Sequence, residues 1–137
     1  MIVYELKDAF GMIKQTDHAE LSGQLFDKLK DINFIQNECL RKAVYEHDRG
    51  WLTLDDTPIW NDQLQRPYSF LDFPLAVKLL GYQDGISQIE KEDPYAGLLC
   101  SMHYTDVVKY ANHDLITRFV LQEEQRQQRI QSHLSLS

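Results

Sequence analysis

The sequence predicts a mostly α-helical fold, a single-domain helical bundle with a short N-terminal β-hairpin. Three observations support this prediction: long segments with apolar residues at helical spacing, repeated helix-start signals, and two short runs of β-forming residues at the beginning of the chain. The chain of 137 residues, 43% of them hydrophobic, is long enough to bury a core without disulfides or metal staples. No repeat or domain boundary divides it, so residues 1–137 are predicted to form one domain.

The hairpin is predicted over residues 1–15. Met1–Leu6 and Phe10–Lys14 are both rich in β-forming residues, and a short polar segment lies between them. Residues 16–121 are predicted to form the helical core, which contains a long loop. Residues 122–137 are polar almost all round, and we expect a helix or tail there that can mediate homodimer formation.

The first helix is predicted from about Asp17 to Leu29, with an N-cap at Thr16–Asp17 and Glu20 placed to close a capping box. Its apolar stripe consists of Leu21, Leu25 and Leu29. The second helix is predicted over Phe34–His47 and is expected to end at Gly50. Its apolar stripe consists of Ile35, Cys39, Leu40, Ala43 and Val44.

Residues 51–71 show no steady period and form a predicted loop that is longer than most connections in compact domains. Trp51 and Trp60 indicate that this loop packs against the core. A third helix is predicted from Asp72, with Pro74 near its start, to about Lys91. Its glycines mark possible interruptions, at Gly81 and Gly85.

The dipeptide Asp93-Pro94 repeats the helix-start signal, an acceptor side chain followed by proline, and predicts a fourth helix to about Tyr110. Asn112 is placed to cap a fifth helix, which continues into the polar C-terminal segment. The helices of the predicted bundle therefore follow one another with short connections, except at the loop of residues 51–71.

Composition excludes several classes of protein. A formal net charge of −7 and a pI near 5.1 give non-specific nucleic-acid binding no electrostatic basis. Cys39 and Cys100 are far apart and form no CxxC pair, which argues against a zinc knuckle or a disulfide scaffold. The N-terminus lacks the features of a signal peptide, and no apolar stretch approaches 18 residues. We therefore expect a cytoplasmic protein without a membrane segment.

Three of the five histidines, on three different predicted helices, lie on apolar stripes. These residues are His18, His47 and His103. A single inward histidine usually bonds a backbone carbonyl, but three converging imidazoles are hard to satisfy in that way. A shared divalent cation would satisfy all three, because histidine is the commonest metal ligand.

The pair His47-Asp48 strengthens the metal hypothesis, because both residues can reach one ion at the end of a helix. The second such pair, His113-Asp114, lies at a helix start and is interpreted as structural. The metal ligands are therefore predicted to be His18, His47, Asp48 and His103. A mixed set of imidazole and carboxylate ligands suits Mn, Fe, Ni, Co or Zn.

Such a site can support metal-assisted hydrolysis or, with iron, oxygen chemistry. We expect a small phosphorylated or otherwise anionic substrate, with Asp55 or Asp56 as the catalytic base and His103 nearby. Arg49 or Arg66 is the predicted substrate anchor, although arginines near such a loop more often pair with surface carboxylates. No glycine-rich phosphate loop, GxSxG motif or activated cysteine is present.

Several segments resemble motifs of an uncharacterised bacterial family, the domain of unknown function 3891. They are Gln15–Ala19 with Leu21–Leu25, Glu46–Trp51, Arg66–Phe70, and Asp93–Ala96 with Ser101–His103. Their order is also similar to that of HD-domain proteins, which are helical, divalent-metal phosphohydrolases with one oxygenase branch. That resemblance implies an HD-domain-like fold in which His18, His47 and Asp48 bind the metal. It implies that His103 is a ligand or a phosphate partner.

The alternative hypothesis is a non-catalytic binding or assembly domain whose histidines are satisfied core residues. Two structural observations distinguish the hypotheses. A separation above about 10 Å between His18 and His47 would prevent one ion from joining them. A solvent-connected pocket at His47 favours the enzyme, whereas a dry core favours the binding domain.

Overall fold

A computed structural model of the chain describes residues 1–29 and 37–136. The strands are β1 (Ile2–Glu5), β2 (Phe10–Ile13), β3 (Trp60–Asn61) and β4 (Arg66–Pro67). The helices are α1 (Gln15–Phe26), α2 (Glu38–Glu46), α3 (Leu75–Glu92), α4 (Pro94–Val108) and α5 (Asp114–Leu136), with a 3₁₀ helix at Arg49–Trp51. The prediction of a mostly α-helical single domain with an N-terminal hairpin is confirmed.

The two short hairpins contact each other. β1 pairs antiparallel with β2, so that Ile2 lies opposite Ile13. The predicted long loop contains the second hairpin, in which Trp60 lies opposite Pro67. Phe10 meets Trp60 edge to face, with ring centroids 5.8 Å apart. The loop therefore packs down, as expected, although Trp51 is fully buried and Trp60 is half-exposed.

The predicted capping box and apolar stripe of α1 are wrong. The helix begins at Gln15, and the Lys14 side chain makes no cap. Instead, the distant carboxylate of Asp55 accepts a hydrogen bond from the Gln15 backbone N–H at 2.7 Å. The leucines of the predicted stripe are exposed, at 56%, 62% and 49% for Leu21, Leu25 and Leu29.

The buried face of α1 carries small residues, and this explains why the leucine stripe predicted the wrong packing face. Ala19 and Gly23 are buried, and a Cβ atom on Gly23 would lie 2.5 Å from ring atoms of Tyr45 in α2. The two helices approach closely because Ala19 and Gly23 have the smallest side chains, a methyl group and a hydrogen atom. The hydrophobic period therefore identified the exposed side of α1 rather than its packed side.

Helix α2 begins where Asn37 caps it, accepting hydrogen bonds from the backbone N–H groups of Cys39 and Leu40 at 3.0 and 3.1 Å. The predicted start at Phe34 and the stripe residue Ile35 lie outside the described residues. The helix ends at Glu46, and the predicted last residue, His47, is its C-cap, so Gly50 is not needed to stop it. This glycine belongs instead to the following 3₁₀ helix.

Helix α3 runs without interruption through both of its glycines because these residues serve packing. A Cβ atom on Gly85 would lie 2.4 Å from the backbone nitrogen of Gly50, and one on Gly81 would lie 2.8 Å from the Gly50 carbonyl oxygen. The backbone of α3 thus touches the backbone of the 3₁₀ helix. The predicted start signal at Asp72 is wrong, because its carboxylate accepts bonds from Ser69 and the helix begins after Pro74.

The start of α4 is confirmed. Asp93 accepts a hydrogen bond from the Ala96 backbone N–H at 3.0 Å, and Pro94 is the first helical residue. At the start of α5, the Leu115 backbone N–H donates to His113 Nδ1 at 3.1 Å. The helix is therefore capped by His113, where the sequence predicted Asn112, and the His113-Asp114 pair is structural as expected.

The face of α5 that packs against the other helices is less polar than the sequence of this segment indicates. Its buried residues are Ile116, Phe119, Glu123 and Ile130. Glu123 accepts a hydrogen bond from Ser101 Oγ of α4 at 2.8 Å. Burial alone would raise the pKa of Glu90 in α3, but hydrogen bonds from Arg129 and Arg126 hold it below its usual value. These polar groups bind α5 within the chain, so a homodimer through α5 stays a prediction for its outer face.

Truncation of Glu123 should destabilise the α4–α5 contact. We expect Glu123→Ala to lower the free energy of unfolding by about 2 kcal/mol, because it removes a buried carboxylate that accepts a hydrogen bond from Ser101 and forms an ion pair with Arg126. Denaturant unfolding measures the loss. The neighbouring, exposed Glu124→Ala serves as the control and should change stability by less than about 0.5 kcal/mol. Equal effects of the two substitutions would contradict this role of Glu123.

The core beneath the N-terminal half of the protein is aromatic. Trp51 meets Phe73 and Tyr82 edge to face, with centroids 5.6 and 5.7 Å apart, and Tyr82 stacks on Tyr104 at 4.0 Å. These rings belong to one hydrophobic cluster in the core of the protein.

Within residues 1–29 and 37–136, no helix is long and apolar enough to cross a membrane.

Candidate metal centre

The structure brings His18, His47 and Asp48 together at the junction of α1, α2 and the 3₁₀ helix. His18 Nδ1 lies 3.0 Å from Asp48 Oδ2, and His47 Nε2 lies 3.4 Å from the same oxygen. One ligand atom from each residue lies within 4.8 Å of the others. The rings of the two histidines are 5.4 Å apart, well inside the 10 Å limit for a shared ion.

The orientation of His47 is fixed by the end of its own helix. Nδ1 lies 2.7 Å from the carbonyl oxygen of Val44, and this contact is a hydrogen bond when Nδ1 carries the proton. That tautomer leaves the lone pair of Nε2 directed toward Asp48. A metal-ligating histidine is typically held in this way, with its other ring nitrogen donating to a carbonyl group.

Asp48 is the centre of the cluster and is only 4% exposed. A buried carboxylate is costly unless charged or polar partners compensate it. Among the described residues, Asp48 Oδ2 lies within 3.4 Å of a nitrogen of each imidazole, and no lysine or arginine contacts the carboxylate. A divalent cation would place a positive charge in direct contact with it.

A cavity of about 240 Å³ opens in front of these residues. Its inner wall includes Trp51, Tyr82 and Tyr104, and Ile2, Phe70 and Val107 complete its apolar lining. Burial raises the pKa of both tyrosine hydroxyls, which therefore stay protonated. They can donate hydrogen bonds to a ligand but do not act as nucleophiles.

His103 of α4 lies beside the cluster. Its ring centroid is 5.1 Å from that of His47, but it is not one of the three residues whose ligand atoms converge. Its outer side is open to solvent, while desolvation on its inner side, and then the nearby His47, lower its pKa. The imidazole of His103 is therefore placed at the cavity wall as a neutral polar group.

The prediction that three histidines point inward needs correction for His103, which is exposed, and for His18, whose side chain is 45% exposed. It reaches the cluster from the rim of the cavity. Sequence analysis also missed Gln15, which lines the cavity and is 6% exposed. Its Oε1 atom is buried without a hydrogen-bond partner. Its position three residues before His18, on the same face of α1, is the signal that could have identified it.

The predicted bases do not line the cavity. Both oxygens of Asp55 are occupied, Oδ1 by the Met1 amino group and Oδ2 by the Gln15 backbone N–H. Asp56 is exposed outside the cavity. The position of Asp55 instead explains how α1 is held against the loop.

The predicted anchors also lie elsewhere. Arg49 Nε donates to Glu46 at 2.6 Å, and Arg66 pairs with Asp72 at 3.3 Å. No lysine or arginine among the described residues lines the cavity. Both arginines thus take the alternative role that the sequence allowed, pairing with nearby carboxylates.

Neither cysteine is activated as a nucleophile. Burial raises the pKa of the Cys100 thiol to about 12. A hydrogen bond with Asp93 raises the pKa of the Cys39 thiol. Both groups therefore stay protonated at neutral pH, which is consistent with the expectation from sequence.

Comparison with known proteins gives a family and no activity. The family described as "Protein of unknown function (DUF3891)" matches residues 1–137, which confirms the resemblance to that family. No curated protein and no solved structure matches the chain. The similarity to HD-domain proteins stays a prediction.

Proposed function

The chain belongs to this family of proteins of unknown function, DUF3891, and we propose from its site geometry that it is a divalent-metal-dependent hydrolase of small molecules. The observation that carries this proposal is the buried Asp48, which is shared between His18 and His47 at the wall of a solvent-connected cavity. A purely structural pair of histidines would need no such opening. The open cavity therefore favours an enzyme over a binding or assembly domain.

The donor set fits a catalytic divalent ion. His18, His47 and Asp48 offer two imidazole nitrogens and one carboxylate oxygen, which suit Mn, Fe, Ni, Co or Zn. When bound, such an ion lowers the pKa of water and polarises a carbonyl or phosphoryl oxygen. Three protein ligands leave coordination positions for water and substrate, as catalytic sites require.

His103 is the best-placed base among the described residues. It lies at the cavity wall beside His47 and is partly open to solvent. In the proposed reaction, its imidazole takes a proton from the attacking water and returns a proton to the leaving group. Water thus supplies a hydroxyl group to one product and a hydrogen to the other. This assignment replaces Asp55 and Asp56, which lie outside the cavity.

No lysine or arginine among the described residues lines the cavity, so other groups must bind the substrate. The tyrosine hydroxyls and Gln15 provide neutral hydrogen-bonding groups. The sequence predicted an anionic or phosphorylated substrate. For such a substrate, the bound metal ion would be the positively charged group in the cavity. The HD-like activity and the cytoplasmic location stay predictions.

Elemental analysis of protein purified without chelator tests the metal centre. We expect close to one Mn, Fe, Ni, Co or Zn per chain, and loss of that metal in His47→Ala. His133→Ala is the matched control, since His133 is exposed on α5 and bonds the Arg129 carbonyl. Carboxyl esters and phosphate esters should then be screened with the loaded protein. Absence of metal from the unsubstituted protein, even after soaking, would contradict the proposal.

A further inference from the structure

A second cavity of about 300 Å³ lies between α2 and α4, directly beside the metal centre. We call it the α2–α4 groove. Its apolar lining residues are Leu40, Ala43, Val44, Leu99 and Cys100. Cys100 is fully buried, and its thiol donates to the Ala43 carbonyl oxygen at an Sγ–O distance of 3.7 Å. The thiol is therefore already paired and adds no free polar group to the groove.

Two residues line both the groove and the metal-centre cavity. They are His47 and His103, whose rings meet edge to face 5.1 Å apart. The proposed ligand and the proposed base thus lie between the metal-centre cavity, which contains Asp48, and the apolar groove. A molecule whose reacting group lies near these imidazoles can extend into the groove without leaving the protein surface.

The charges of the two cavities restrict the molecule that fits. No lysine or arginine among the described residues lines either cavity, and Asp48 places a negative charge in the first. A phosphate monoester carries close to two negative charges and would meet no protein cation. A neutral acyl group requires only polarisation of one carbonyl oxygen, and an attached aliphatic chain gains free energy from burial in the groove.

From the shared histidines and the apolar groove, we propose that the substrates are neutral aliphatic acyl compounds, esters or amides whose acyl chain lies in the α2–α4 groove. This inference rests on the proposed metal-dependent hydrolysis. The bond that breaks joins the acyl carbon to the leaving oxygen or nitrogen. Water supplies the hydroxyl group to the acyl carbon and a proton to the leaving group, so no further reactant is needed.

Alkyl hydroxamates test the proposal, because the hydroxamate group binds a metal ion while the alkyl chain occupies the adjoining space. Binding of acetohydroxamate and octanohydroxamate to Zn²⁺-loaded protein is compared by calorimetry. Each fully buried methylene contributes about fourfold to affinity, so partial burial of the longer chain should tighten binding by about 100-fold. Leu40→Phe, which fills the groove from α2, should abolish most of this gain and leave acetohydroxamate affinity unchanged.

Leu99→Phe fills the groove from the opposite helix and serves if Leu40→Phe does not fold. Leu80→Phe is the control, because Leu80 is 65% exposed on α3 and distant from the groove lining. If acetohydroxamate binds but chain length has no effect, or the gain persists in the groove variants, the acyl-chain proposal is wrong and the metal-dependent hydrolase stands. If neither Zn²⁺ nor acetohydroxamate binds, both proposals are wrong.

Discussion

Replacing Asp48 with asparagine is expected to weaken metal binding by at least about 100-fold and to abolish hydrolysis. Asp48 contacts both imidazoles of the cluster through one oxygen, Oδ2. Even the loss of a partner that only orients a metal ligand costs 10- to 100-fold in affinity or activity, so loss of a charged ligand costs more. Among the described residues, no other carboxylate lies within the cluster to replace it.

The fold should tolerate this substitution, which makes the result interpretable. Asparagine has nearly the same shape, and its side-chain oxygen can still accept a hydrogen bond from His18. It also removes a buried carboxylate, whose desolvation is costly in the metal-free protein. We therefore expect the metal-free Asp48→Asn protein to be about as stable as the metal-free unsubstituted protein.

Thermal unfolding with and without metal measures the effect. Ligand at 1,000 times its Kd stabilises a folded protein by about 4 kcal/mol, so metal should raise the Tm of the unsubstituted protein by roughly 15 °C. A Kd that is 100-fold weaker leaves about 1.4 kcal/mol of this stabilisation, so Asp48→Asn should show at most about a third of the increase. The exposed Asp56→Asn protein should retain it. A full increase in Asp48→Asn would show that the metal binds elsewhere.

Sequence analysis named the three residues of the candidate metal centre, but the reason it gave for His18 was only partly right. His47-Asp48 was recognised because a helix end lets adjacent side chains reach one point. His18 was placed on a leucine stripe that the structure shows to be exposed, and it reaches the cluster because the small residues Ala19 and Gly23 let α2 approach α1. Hydrophobic period reports which residues are apolar, but it does not report which face packs against a neighbouring helix.

The positions of the predicted base Asp55 and the predicted anchor Arg49 were beyond sequence analysis because tertiary contacts decide them. Asp55 lies four residues after a buried tryptophan, and nothing local indicates that it holds the start of α1 forty residues away. Arg49 follows Asp48 directly, yet its guanidinium pairs with Glu46 and points away from the cavity lining. The groove, similarly, arises from two helices whose separation no sequence pattern specifies.

The separation of α3 from the 3₁₀ helix depends on glycine, and Gly85→Ala should therefore be strongly destabilising. The new Cβ atom would lie 2.4 Å from the backbone nitrogen and 2.6 Å from the Cα atom of Gly50. Because the clash is with backbone, no flexible side chain can move aside. Alanine gains about 1 kcal/mol in helix propensity, but overpacking should outweigh it and leave a net loss of about 3 kcal/mol.

The same substitution should also weaken metal binding, although Gly85 does not line the metal-centre cavity. Asp48 immediately precedes the 3₁₀ helix, and its carbonyl oxygen accepts a hydrogen bond from the Trp51 backbone N–H at 2.9 Å. Displacement of Gly50 therefore moves Asp48 relative to the two histidines. We expect a drop in Tm of about 10 °C together with at least about tenfold weaker metal binding.

Two controls separate the local effect from general destabilisation. Asp84→Ala, at the exposed neighbouring position of α3, should change stability by less than about 0.5 kcal/mol. Glu123→Ala destabilises the protein through the α4–α5 contact, so it should lower the Tm while the metal affinity of the folded protein stays unchanged. Equal losses of metal affinity in Gly85→Ala and Glu123→Ala would show that the centre responds to global stability. A loss confined to Gly85→Ala would place the glycine contact among the determinants of the metal centre, because it sets the position of Asp48.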